Sequence, residues 1–230
     1  MIPLRDNIPS STTPVVNYFI IATCVLVFFG QLAAPGHLEN LTFNPSYLLG
    51  RHAGEVPLTF VLLTILTSMF MHGGVLHIAG NMLFLWVFGD NVEDRMGHVR
   101  YLLFYLICGT IAALTHALIS FFAPVPVLGA SGAIAGVLGA YFVLFRGATV
   151  RTLVILVFFI TVVDLPAVIF LGLWFVFQFF AGLGSLGGPG DGVAVWAHVG
   201  GFVAGLWLVR YFAVMNRRTI PRPRVLDMRY

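Results

Sequence analysis

The chain has 230 residues, 59% of them hydrophobic and only 9% charged, with a formal net charge of +3 and a mean hydropathy of +0.97. That balance excludes an ordinary soluble domain and implies an integral membrane protein. There is no lysine, and the twelve arginines form no patch with interleaved aromatics, so the pI near 9.1 does not point to nucleic acid.

In chain order, residues 1–13 are short and polar, with Arg5 and Asp6, and no small-residue cleavage site follows the first apolar run. That run is therefore expected to remain as a helix. Windows of apolar residues long enough to cross a bilayer predict spans at about 15–32, 75–89, 99–122, 128–145, 165–183 and 193–214, the second of them short. Two further apolar runs, 56–71 and 152–163, are expected to lie in or on the interface without crossing; Pro166 breaks the second. The expected organisation is an N-terminal segment 1–13, an all-α six-span unit 14–214 and a basic tail 215–230. Cys24 and Cys108 both sit inside apolar runs, read as small core residues and imply no disulfide.

Charge tests the span count. The arginines from Arg210 to Arg229 place the C-terminus inside by the positive-inside rule. Six alternating spans then put Arg5, Arg95, Arg100, Arg146 and Arg151 inside as well, leaving only Arg51 outside. The second, fourth and sixth spans consequently run from outside to inside, and each carries its polar residues near its start. At 1.5 Å per residue, His77, Asn81, Ser131 and His198 all fall within about 10 Å of the outer boundary.

Each of these residues has an ordinary reading. His77 and Asn81 are four apart on one helix face, where they can bond neighbours or donate to an oxyanion. Ser131 opens a glycine-rich helix containing Gly132, Gly136 and Gly139, and is an N-cap or packing residue unless it is a nucleophile at a helix N-terminus. His198 shares a stripe with Gly201 and Gly205 that admits close approach of another helix, and the glycine-bearing fourth span is the natural partner. Together, a serine and a histidine able to touch at one depth in hydrocarbon point to nucleophilic catalysis by a dyad. Asp191 lies in a Gly-rich outer loop and Asp164 toward the inner side, so neither is expected to complete a triad. His72 and His77 lack metal-ligand spacing and no His-Glu-x-x-His occurs, so neither metal nor cofactor is expected. The string Gly188-Pro189-Gly190-Asp191 is similar to a Gly-x-Gly-Asp protease motif, but it sits in a loop without a partner aspartate.

These residues, in this order, resemble the rhomboid family of intramembrane serine proteases. Met71-His72-Gly73-Gly74-Val75-Leu76-His77-Ile78-Ala79-Gly80-Asn81 is similar to the family's second span with its His-x-x-x-Asn. Glu93 and Gly97 stand as its Glu-x-x-x-Gly, Gly129-Ala130-Ser131-Gly132 as its Gly-x-Ser-Gly, and His198 with Gly201 and Gly205 as its last-span histidine and glycines. The resemblance covers residues 14–210.

It implies a serine endopeptidase, with Ser131 as nucleophile, His198 as base and then acid, and His77, Asn81 and the Ser131 backbone N–H as oxyanion donors. It also implies a membrane-embedded first loop containing 56–71, a fifth span flanking substrate entry, a structural Glu93, transmembrane protein substrates in the lipid bilayer, and a bacterial inner membrane, in which the arginine distribution leads one to expect both termini on the cytoplasmic side. The chain departs from the family in two places. The first loop lacks the Trp-Arg pair of many members, and Ala135 stands where some place an aromatic ring under the histidine, so the base is expected to be oriented differently. The alternatives are a non-catalytic rhomboid-like protein that holds membrane clients, which is expected to lose the serine or histidine, and a small transporter, which is expected to spread polar residues through the bilayer.

Overall fold

A computed structural model describes residues 1–50, 52–119, 126–156, 159–185 and 194–213. Its elements are β1 (Ile2–Asp6), α1 (Val15–Ala33), α2 (Pro45–Leu48), α3 (Leu58–Ser68), α4 (Val75–Phe84), α5 (Asp90–Met96), α6 (His98–Ile119), α7 (Ser131–Leu144), β2 (Thr149–Leu156), β3 (Phe159–Pro166), α8 (Ala167–Ser185) and α9 (Val195–Phe212). A π-helical turn, Leu85–Gly89, joins α4 to α5, so Val75–Met96 is one continuous run. Helical runs stand where the six spans were expected. Five are long and apolar enough to cross a membrane: Val15–Ala33, Val75–Met96, His98–Ile119, Ala167–Ser185 and Val195–Phe212.

The sixth, α7, has only 14 residues, about 21 Å of helix against a hydrocarbon core of about 30 Å. It is tolerated because protein surrounds it, with every residue from Gly132 to Tyr141 buried. α6 packs antiparallel to it, Cys108 against Gly136 and Ala112 against Gly132, and continues seven residues past Ala112, about 10 Å. The start of α7 is therefore recessed below its neighbour. α3, with 11 residues and Leu58, Leu62 and Leu63 exposed, is too short to cross, as expected of the first loop.

At the end of the bundle away from the α7 N-terminus, Glu93 is fully buried and caps α1: the N–H groups of Val16 and Asn17 donate to its two carboxylate oxygens at 3.0 and 2.7 Å. Asn17 in turn donates to the Leu85 carbonyl and accepts from the Tyr101 hydroxyl, tying α1 to the π turn and to α6. Gly97, at φ +77, ends α5 and lets the chain enter α6 within one residue. The first and second spans are thus fixed by one buried carboxylate and one buried amide.

One feature goes beyond the all-α reading. The run 152–163 forms a β-hairpin, with Thr152 opposite Val163, and β1 adds a third antiparallel strand through Ile2 opposite Leu153. The run is rich in Val, Ile and Thr, whose branched side chains favour strands, and the polar N-terminal segment supplies the edge that completes the sheet. Asp164 accordingly lies in β3, ion-paired with Arg151 at 2.9 Å, and the fifth helix begins at Ala167. The Gly-Pro-Gly-Asp string, the 215–230 tail, Arg51 and the end of the third predicted span fall outside the described residues.

β1 is anchored to the bundle by Asp6, whose carboxylate accepts hydrogen bonds from the Tyr141 hydroxyl and the Asn91 amide. Burial pushes the Asp6 carboxyl from 3.8 up to about 7; the Tyr141 hydroxyl pulls it down and nearby Asp90 pushes it up. The folded state thus holds this proton more tightly than the unfolded chain does. The associated stability is present below pH 3.8 and lost as pH rises through about 7. Asp6→Asn should flatten the decline of thermal stability between pH 5 and pH 7; an unchanged slope in detergent-solubilised protein would rule Asp6 out as its source.

Candidate active site

Ser131 is the first residue of α7, so its N–H belongs to the four helix-terminal amides that lack an intrahelical acceptor. α9 runs parallel to α7, and Gly201 and Gly205 lie directly on the carbonyls of Gly132 and Gly136: a Cβ at either position would come within 2.0 Å of those oxygens. This approach, closer than side chains permit, brings His198 over Ser131, with Nε2 2.7 Å from Oγ. His198 is buried and Ser131 partly so.

Both residues line a cavity of about 780 Å³, together with Gly73, His77, Asn81 and Leu128. Asn81 is buried, and its Nδ2 has no hydrogen-bond partner among the described residues. A desolvated, unpaired amide in the cavity that Ser131 also lines carries an unspent donor. His77, one turn earlier on α4, edges against His72 at 5.2 Å between ring centroids and reaches the loop before α7. The four side chains singled out in the sequence therefore share one cavity, and Gly129, Gly132, Gly136, Gly201 and Gly205 are the close contacts that assemble it.

Gly129 illustrates the constraint. Its φ is +127, and a Cβ there would meet the His77 ring at 2.8 Å. Its N–H donates to the Ser68 carbonyl at 2.9 Å, which pins the loop before α7 to the end of α3. Gly129→Ala combines backbone strain with a clash and should cost about 1–3 kcal/mol in thermal or denaturant unfolding. Gly73→Ala is the control, since its added Cβ meets nothing closer than 3.8 Å.

One residue of the site was not anticipated. Gln178, from α8, has Oε1 2.7 Å from His198 Nδ1, and Trp174, one turn earlier, packs its ring against the imidazole at 5.9 Å between centroids. The sequence carried a signal for it: in the 19-residue helix Ala167–Ser185 Gln178 is the only polar side chain apart from the terminal serine, and such residues rarely lie idle in hydrocarbon. As expected from the sequence, α7 places no aromatic ring beneath the histidine: Ala135 stands there, small and fully buried. Trp174 supplies a ring from another helix. No group of three His, Cys, Asp or Glu side chains able to hold a metal occurs among the described residues.

Residues 60–214 match a family model described as the Rhomboid domain. The chain is 37% identical over 128 residues to the Rhomboid protease GluP of Bacillus subtilis, covering 55% of this chain and 24% of that protein. It is 31% identical over 191 residues to RHOMBOID-like protein 4 of Arabidopsis thaliana, covering 80% of this chain and 44% of that one. It is also 36% identical over 92 residues to the mitochondrial Rhomboid protein 1 of Saccharomyces cerevisiae, covering 38% and 27% respectively. The chain thus matches between about a quarter and under a half of the length of these relatives.

Proposed function

The chain belongs to the rhomboid family, and from that premise we propose that it is an intramembrane serine endopeptidase that hydrolyses a peptide bond in or near the outer part of a substrate's transmembrane helix. The observation that carries this reading is the 2.7 Å contact between Ser131 Oγ and His198 Nε2, opening onto a cavity that also holds the unpaired Asn81 amide. Ser131 attacks the scissile carbonyl carbon while His198 Nε2 takes the hydroxyl proton. The oxyanion that forms is met by Asn81 Nδ2, His77 and the Ser131 N–H at the start of α7. His198 then protonates the leaving amine, and water, activated by the same imidazole, hydrolyses the acyl-enzyme. No metal or cofactor takes part in this scheme.

The orientation we propose follows the arginines. Arg5, Arg95, Arg100, Arg146, Arg151 and Arg210 belong to segments at the end of the bundle opposite Ser131, which makes that end, with both termini, cytoplasmic by the positive-inside rule. The cavity then faces the outer half of a plasma membrane, in keeping with a bacterial inner membrane. Residues 1–13 and 215–230 are cytoplasmic segments flanking the catalytic unit 14–214.

The test is labelling by a serine-directed fluorophosphonate, with cleavage of a model transmembrane substrate in liposomes. Labelling confined to Ser131, with cleavage, supports the protease. Neither labelling nor cleavage by the wild-type chain would leave the client-binding alternative in its place.

A further inference from the structure

We propose that Gln178 is a positioning residue for His198, so that the catalytic unit is a serine, a histidine and a neutral amide carried on three different helices. This rests on the dyad reading above and extends it. A neutral imidazole has one N–H donor and one bare acceptor, and which nitrogen is which is decided by the partner of the other. At His198 both nitrogens are engaged, Nδ1 with Gln178 Oε1 and Nε2 with Ser131 Oγ, each at 2.7 Å. A carbonyl oxygen only accepts, so Nδ1 carries the hydrogen. Nε2 is therefore bare and accepts the serine proton. In the opposite tautomer Nε2–H would donate to Oγ and the histidine would have no lone pair for the hydroxyl.

The amide is held as a built part of the site. Trp174, Gln178 and Gly182 recur every four residues and form one stripe of α8 that faces α9. Trp174 lies against His198 and Phe202, and Phe175 stacks on Phe202 at 4.7 Å between ring centroids. One turn beyond Gln178, the absent side chain of Gly182 makes room for the Trp196 indole, which a Cβ would approach to 3.1 Å. These contacts fix the register of α8 on α9 on both sides of Gln178, and with it the aim of Oε1.

The chemistry of the residue suits the depth. A carboxylate in this place would orient the ring equally well, but an ionised group at the base of an apolar cavity costs far more to desolvate. A glutamine provides the acceptor without the charge. It sets the tautomer, while the imidazolium formed during acylation is stabilised less than it would be by a carboxylate.

The experiment compares wild type with Gln178→Met, which keeps length and volume but presents no such acceptor, and Gln178→Glu, which keeps it. Three measurements are made: steady-state kinetics, giving kcat and KM for a model transmembrane substrate, thermal unfolding, and the ¹⁵N shifts of the His198 ring, assigned by their loss in His198→Ala. Gln178→Met should lower kcat by at least about tenfold with KM and unfolding little changed, since a misassigned tautomer costs about 10⁴-fold in a charged triad. Gln178→Glu should retain more activity than the methionine variant. In wild type, Nδ1 should be protonated and Nε2 bare, whereas the methionine variant should show mixed tautomers. Wild-type kcat in Gln178→Met, or a wild-type ring protonated at Nε2, would overturn the assignment. The ¹⁵N measurement reads the tautomer whether or not the protein cleaves anything. A failure of the protease reading therefore shows as absent labelling, and a failure of the Gln178 assignment shows at the ring.

Discussion

Ser131→Ala should abolish both substrate cleavage and fluorophosphonate labelling, and His198→Ala should lower cleavage as severely, each by about 10⁴-fold or more. The two residues act as one unit: Oγ is a weak nucleophile without a base, and among the described residues Ser131 is the one hydroxyl hydrogen-bonded to the imidazole, at 2.7 Å. The double variant should consequently be no worse than either single one. Asn81→Ala should behave differently, leaving nucleophile and base in place and removing one donor to the developing oxyanion, for a loss of about 10²–10³-fold in kcat. Because Asn81 Nδ2 makes no hydrogen bond among the described residues, its removal breaks no such bond in the resting fold. Its effect should fall on kcat rather than on thermal stability. Single-turnover cleavage with each variant reconstituted in liposomes measures this series. Residual wild-type cleavage in Ser131→Ala would end the covalent mechanism, and strictly additive losses would end the dyad.

What the sequence made legible and what it hid follow from the physics of each segment. Ser131, His198, His77 and Asn81 stood out because hydrocarbon penalises polar groups, and arginine asymmetry gave the helix directions that placed all four at one depth. The glycines at 201 and 205 announced a close helix contact because small residues at four-residue spacing have few other uses in a membrane. The β-hairpin was hidden for two reasons. A continuous apolar run has no periodicity that separates strand from helix, and the pairing of Ile2 with Leu153 joins residues no local pattern connects. Its β-branched composition was the available clue. Gln178 escaped for another reason: Ser131, His198 and His77 lie near the starts of spans that run from outside to inside, whereas Gln178 lies in the second half of the fifth span, which runs the opposite way. Its chain neighbours are all apolar, and only the antiparallel packing of α8 on α9 turns it toward the histidine.

The contact of α7 with α9 yields the largest expected effect on stability. Gly132 and Gly136 on α7 stand against Gly201 and Gly205 on α9, two Gly-x-x-x-Gly pairs in register on parallel helices. A methyl group at 201 or 205 would lie 2.0 Å from a backbone carbonyl oxygen, which no side-chain rotation relieves. The helices must separate by more than an ångström, and α7 cannot yield on its other side, where Gly136 already meets Cys108 and Gly132 meets Ala112. Gly201→Ala or Gly205→Ala should therefore cost about 3 kcal/mol or more in unfolding free energy, at the upper end of overpacking effects. The separation also stretches the Ser131–His198 contact beyond hydrogen-bond length, so the protein that still folds should cleave about 10²-fold more slowly. Gly172→Ala on α8 has the opposite sign. Nothing lies within 4 Å of its added Cβ, and an alanine in a helix interior is favoured over glycine by about 1 kcal/mol, so it should be neutral or stabilising. Thermal unfolding of the three variants in one detergent decides the matter: if Gly201→Ala and Gly205→Ala unfold with wild type, backbone contact between α7 and α9 does not hold the serine against the histidine.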